Sequence, residues 1–193
     1  MSAQAVNAAR SWQVGGMTYR DRLPQLAGGV FLTDSGLETV LIFLEEVELP
    51  LFAAFVLLDT EEGTDRLRGY FRRHAAIAAE AGVGFIGESA TWRANPDWAT
   101  QLGYDSAALD RLNRRAISVL AELRADFEAT VGKPFVISGC VGPRGDGYNP
   151  ETLMTPDQAE AYHSEQIGTF ASTEADVVSA ITMTHTKVER KAQ

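Results

Sequence analysis

The chain has 193 residues, 45% of them hydrophobic and 22% charged, with a formal net charge of -9, which excludes collagen-like, mucin-like and mostly disordered chains. Seventeen basic residues against 26 acidic ones argue against nucleic-acid binding, which needs clustered Lys and Arg to neutralise phosphates. No stretch approaches the roughly 18 to 20 apolar residues of a membrane helix, and the one cysteine, Cys140, excludes an internal disulfide and fits a cytoplasmic protein.

Residues 1–16 are small and polar, with Arg10 but no apolar signal core, and read as a flexible leader; Met17 is an alternative start. Residues 29–34 form a short apolar run bounded by glycines and predict a first strand. A long apolar connection, 35–60, is interrupted by Pro50. Apolar side chains at Leu67, Tyr70, Phe71, Ala75, Ile77 and Ala78 then follow a helical repeat over 65–81, with Gly82 as its stop. Residues 83–88 predict a second strand, followed by a turn-rich segment, 89–105, with Trp92, Pro96, Trp98 and Tyr104. A second helix is marked by Leu109, Leu112, Ala116, Leu120, Leu123 and Phe127, and a third strand by 134–140. After the glycine-rich loop 142–148, Thr155 and Pro156 supply an N-cap and first-turn proline for a third helix. Its apolar side is Ala159, Tyr162, Ile167 and Phe170; a fourth strand at 177–183 precedes a charged tail, 185–193.

Strands alternating with helices make βαβ units and a parallel sheet. Their starts, near residues 29, 83, 134 and 177, leave room for four strands, whereas a closed eight-stranded barrel takes about 250 residues. The chain therefore holds either a small open α/β sheet or half of a barrel. No internal repeat, low-complexity segment or interdomain linker is evident.

In such folds ligands bind where the strands end, and three strands end in polar clusters. In the first, 33–39, Asp34 suits a substrate ammonium and Gly36 admits close backbone approach, although an aspartate here equally suits a turn or helix cap. The second, 87–96, offers Glu88, two hydroxyls (Ser89 and Thr91) and Arg93 beside Trp92. The third, 138–148, has no Walker lysine and no G-x-G-x-x-G, so it is a poor nucleotide cradle. Its Arg144-Gly145-Asp146 matches a cell-adhesion tripeptide too short to be specific. Cys140 has no base nearby and reads as a buried thiol rather than a nucleophile. His74 and His163 fall within helices as packing or surface residues, and no metal-ligand spacing is present.

Residues 31–39 (FLTDSGLET), 88–94 (ESATWRA), 142–148 (GPRGDGY) and 175–178 (ADVV) together resemble the homocysteine S-methyltransferase family, in order and spacing from about Met17 to Thr184. The resemblance implies an α/β fold, a (βα)8 TIM-type barrel truncated to about four parallel strands and three main helices, with residues 17–184 as its N-terminal half and 185–193 as a frayed tail. It implies methyl transfer from a sulfonium, betaine or folate donor to the homocysteine thiol, giving methionine, with zinc holding and deprotonating that thiol. Carried over by position, Asp34 contacts the homocysteine ammonium, Gly36 forms that turn, and Thr91 lies against the amino-acid part; Glu88 joins them as a substrate-binding candidate. Ser35 replaces a frequent glycine, and Ile181-Thr182 stands where many members carry Glu-Thr. No residue is assigned a catalytic role. The family's zinc cysteines, after strands six and eight, have no counterpart, because Cys140 follows strand three. Without zinc, a thiol with a pKa of about 8.5 is mostly protonated at neutral pH.

The expectation is thus a homocysteine S-methyltransferase-like chain, inactive alone, that acts with a C-terminal half supplied in trans. The alternative is a non-catalytic remnant, or a self-associating α/β domain that at most binds an amino acid.

Overall fold

The computed structural model describes residues 19–149 and 153–184. The expected leader, Met17 and the tail at 185–193 lie outside the described residues.

Four strands, β1 (Phe31–Thr33), β2 (Gly84–Glu88), β3 (Phe135–Val141) and β4 (Val177–Ala180), form one parallel sheet in the order β1-β2-β3-β4. Sequential order with a crossover after each strand winds every connection the same way, as in a barrel. A doubly wound sheet would reverse direction. The observed order thus matches half of a barrel and not a doubly wound open sheet.

The three expected main helices are present as α2 (Glu61–Ala81), α4 (Ser106–Val131) and α5 (Pro156–Ala171); the shorter α1 (Leu37–Thr39) and α3 (Pro96–Gln101) accompany them. Each long helix starts where a side chain satisfies a free backbone N–H. Thr60 accepts from Gly63 at 3.1 Å, Asp105 from Ala108 at 2.8 Å, and Thr155 with Gln158 closes a capping box. The Thr60 cap explains why α2 begins four residues ahead of the apolar repeat; Ile77, expected on that apolar stripe, is instead exposed, since it is one residue out of phase with the buried Ala78.

Leu120 of α4 and Phe170 of α5 reach the backbone of Gly87 and Gly139, so these helices cover the sheet face that carries Phe85, Phe135 and Ile137. Phe85, Phe135 and Phe127 stack edge-on at 5.1 Å and 5.8 Å between ring centroids, forming the middle of the core. By strand alternation the opposite face carries Phe31, Ile86, Glu88, Ser138, Cys140 and Ser179.

Four further expectations change. The 35–60 connection is α1 followed by a π-helical turn (Val40–Leu44) and two 3-10 turns (Pro50–Phe52 and Ala54–Asp59). The 89–105 segment contains α3, capped by Asn95 through the Trp98 N–H. β4 stops at Ala180, because Thr182 takes a left-handed φ of 55° that no strand continues through. On α5 the buried residues are Ala159, His163, Gln166, Thr169 and Phe170, while Tyr162 and Ile167 are half-buried. Polar residues carried the inner stripe, so hydropathy alone misplaced it.

Candidate functional site

The carboxyl ends of β1 and β2 bring Asp34 and Glu88 together. Asp34 follows the last residue of β1, and its Oδ1 accepts the Glu88 backbone N–H at 3.0 Å. The Tyr70 hydroxyl, from α2, donates to the Ser35 carbonyl at 2.8 Å and lies 3.2 Å from Asp34 Oδ2. Between these residues Gly36 sits at φ 58°, a left-handed turn that starts α1 and sends Glu38 back toward the same place.

Three carboxyls thus share one half-buried region. Burial raises the pKa of Asp34, opposed by the Glu88 N–H, the Tyr70 hydroxyl and the charge of His74. Burial also raises Glu38, with Arg93 pulling it down and Asp34 pushing it up. Glu88 is raised by burial and by Asp34, against the Ser138 and Ser179 hydroxyls. Its Oε2 is buried with no hydrogen-bond partner in the described residues, an arrangement that costs free energy until a donor arrives. The cluster therefore favours a cationic hydrogen-bond donor over water.

Thr91 stands behind this group. Its residue is fully buried, and its hydroxyl belongs to a closed circuit. The Cys140 N–H donates to Ser89 Oγ at 2.9 Å, Ser89 Oγ and Thr91 Oγ1 lie 2.6 Å apart, and Thr91 Oγ1 donates to the Cys140 carbonyl at 2.7 Å. The circuit fastens the loop after β2 to β3. A second buried network holds the rest of that loop: Gln166 donates to the Thr91 carbonyl and to Asn113, Asn113 to the Ala94 carbonyl, and Tyr162 to Asn95. Gly142 admits the same loop at contact distance, for a Cβ there would lie 2.1 Å from the Trp92 carbonyl oxygen.

The Arg144-Gly145-Asp146 tripeptide is an internal turn: Arg144 pairs with Asp97 at 2.8 Å and Asp146 caps the Tyr148 N–H. Asp176, from the 175–178 motif, lies at the other end of the sheet. There it pairs with Arg124 at 3.1 Å and accepts the Ile137 N–H at 2.8 Å, so it holds strands together. His74 packs on Tyr70 with ring centroids 4.4 Å apart, beside the carboxyls. His163 is buried with neither ring nitrogen bonded in the described residues, and burial lowers its pKa.

Sequence reasoning picked Asp34, Glu88, Gly36 and Thr91; it missed Tyr70, Glu38 and Gln166. Tyr70 lies one helical turn before His74 on the α2 stripe and was read as core alone. Glu38 could have been found, being four residues beyond Asp34 across a glycine turn.

The zinc that the resemblance implies needs converging thiolates. Among the described residues no group of three His, Cys, Asp or Glu could hold a metal ion. The Cys140 thiol is buried on β3 and pushed well above the usual thiol range by burial and by Glu88, Glu38 and Asp34. A neutral, enclosed thiol is the wrong donor, so the residues present do not fit a thiolate-held zinc.

A singly wound parallel sheet with a carboxylate-lined ligand end defines a segment of a (βα) barrel of the ligand-binding type. This chain belongs to the homocysteine S-methyltransferase family, whose model matches residues 32–192. Its fold is similar to two crystal structures of the homocysteine methyltransferase MmuM from Escherichia coli. The metallated form superposes with a TM-score of 0.63 at 17% identity, covering 82% of this chain and 55% of that one. The oxidized form gives 0.64 at 16% identity, covering 86% and 57%. The chain thus spans somewhat more than half the length of these structures. A search of curated protein sequences finds no match. No described helix is long and apolar enough to cross a membrane.

Proposed function

We propose that this chain supplies the amino-acid-binding half of a homocysteine S-methyltransferase, with Asp34 and Glu88 holding the substrate ammonium. The observation that carries this reading is the meeting of carboxyls from two strand ends, one of them with an unpartnered buried oxygen. An ammonium placed there gains charge-assisted hydrogen bonds and draws both carboxyls to their ionised forms. Gly36 sets the turn that aims Asp34. Thr91 acts by fixing the loop that shapes the pocket.

Methyl transfer to the homocysteine thiol then requires that the thiol be ionised. The groups that would do so are not among the described residues, so this part of the reaction falls to a complementary segment. The chain alone binds homocysteine without turning it over, and the complete protein acts in the cytoplasm. Calorimetry with L-homocysteine tests this. Asp34→Asn and Glu88→Gln each weaken binding about tenfold or more, the worth of a charge-assisted contact. Homocysteine affinity that is unchanged in both variants would falsify the assignment. Stoichiometric zinc and methyl transfer should appear only when a Cys-containing C-terminal half is co-expressed.

A further inference from the structure

Arg93 is placed unlike the ion-paired arginines of the chain. Its guanidinium carbon lies 4.1 Å from the centroid of the Trp98 ring and 4.9 Å from that of Trp92, so it packs against two indoles. Nη1 donates to the Leu51 carbonyl, which fixes the rotation of the planar group. Eight other arginines each pair with an Asp or Glu within 4.0 Å. Among the described residues Arg93 has no carboxylate that close, and its Nε and Nη2 have no acceptor. The cation is half-buried all the same, at a cost in hydration that lowers its pKa. A rigid, half-desolvated guanidinium with its edge unmet is prepared for a planar anion.

Its surroundings say which anion. Glu38 is influenced by both Arg93 and Asp34, so the guanidinium and the ammonium-binding carboxyls act on the same glutamate. Arg93, on the loop that follows β2, and the Asp34–Glu88 pair, at the ends of β1 and β2, thus offer opposite charges at one end of the sheet, the pattern that a zwitterion matches. Asp146 and Tyr148 of the loop after β3 also act on Arg93 electrostatically, and Asp146 forms no ion pair with it among the described residues.

We infer that Arg93 receives the substrate α-carboxylate and so makes the site selective for an α-amino acid over a simple aminothiol. The inference rests on the ammonium assignment above.

Two probes separate the contributions: L-homocysteine, and 3-aminopropane-1-thiol, which keeps the ammonium and thiol but lacks the carboxylate. Titrated calorimetrically under reducing conditions, the full chain should bind homocysteine about tenfold or more tightly than the amine. Arg93→Gln should reduce that preference to about twofold by weakening homocysteine alone, and Arg93→Lys should keep part of it, since the charge stays but the planar fork goes. If Arg93→Gln and Arg93→Lys both leave the preference intact, the carboxylate role is wrong and the ammonium assignment stands. Equal weakening of both probes also overturns it, making Arg93 a clamp for the Leu51 turn. If the unmodified chain binds neither probe, the ammonium assignment fails and takes this inference with it.

Discussion

Gly142→Ala tests how the loops that bear the site are held. The added methyl would lie 2.1 Å from the Trp92 carbonyl oxygen and 2.7 Å and 2.9 Å from Cδ1 and Nε1 of its indole. An ordinary contact is roughly 3.5 Å, so the loops after β2 and β3 must part by more than about 1 Å. The obstacle is backbone and cannot rotate away, which puts the cost near the top of the roughly 1–3 kcal/mol range for overpacking. Reduced freedom of the unfolded chain returns about 0.4–1 kcal/mol. The net loss is about 2 kcal/mol, or roughly 4–8 °C for a domain of this size. Gly168→Ala is the matched control: it lies within α5 with nothing within 4 Å of its added methyl, and should gain roughly 0.5–1 kcal/mol. Thermal and urea unfolding followed by circular dichroism would read both. A Gly142→Ala protein as stable as the parent would mean that these loops do not abut as described, and the placement of Arg93 and Trp92 would lose its support.

Thr91→Val keeps shape but opens the hydroxyl circuit, leaving the Ser89 hydroxyl and the Cys140 carbonyl short of a partner; urea midpoints should report a loss of about 1–3 kcal/mol. Asp176→Ala strands Arg124, whose side chain is 12% exposed against 0% for Asp176, and should cost about 3–5 kcal/mol. The double variant Arg124→Met with Asp176→Leu should recover the part due to the stranded cation but not that of the Ile137 N–H, which stays unpaired, and no recovery would contradict the ion-pair account. Asp34, Glu38 and Glu88 all have raised carboxyl pKa values in the folded chain. In the window from their unfolded values of 3.8 and 4.5 up to their folded ones, the native state binds the extra protons, and stability falls as pH rises. The Asp34→Asn, Glu38→Gln, Glu88→Gln protein should therefore gain on the parent as pH increases through that window. His163, lowered from 6.5, works the other way but cancels in the difference; a flat difference curve would refute the shared burial of the three carboxyls.

Much of the scaffold was legible because its signals are local. The Thr155–Pro156 start of α5 and the Leu109-to-Phe127 stripe of α4 depend on neighbours three or four residues away, and both are present as read. Asp34 and Glu88 were legible because strand ends in parallel folds face ligands. What escaped depends on contacts distant in sequence. Tyr70 and His163 occupy helical positions whose partners, or lack of them, come from other elements. Asp176 looked like part of a functional motif, and only the register of β3 with β4 reveals it as a strand tie. Arg93 stands beside Trp92 in the sequence, but nothing local shows that a second indole, five residues on, packs against the same guanidinium.

Cys140 has a practical consequence. It is the chain's one cysteine, it lies beneath the carboxyls, and both of its main-chain polar groups are tied to the loop hydroxyls. A thiol reagent attacks the thiolate and can reach it only when that part of the sheet comes apart. The labelling rate, divided by that of an unstructured cysteine peptide, is therefore a direct gauge of how often this region opens. A ligand seated between Asp34 and Arg93 that carries no thiol of its own, such as a thioether analogue of homocysteine, would slow labelling by the fraction bound, giving a binding assay that needs no turnover, no metal and no added probe on the protein.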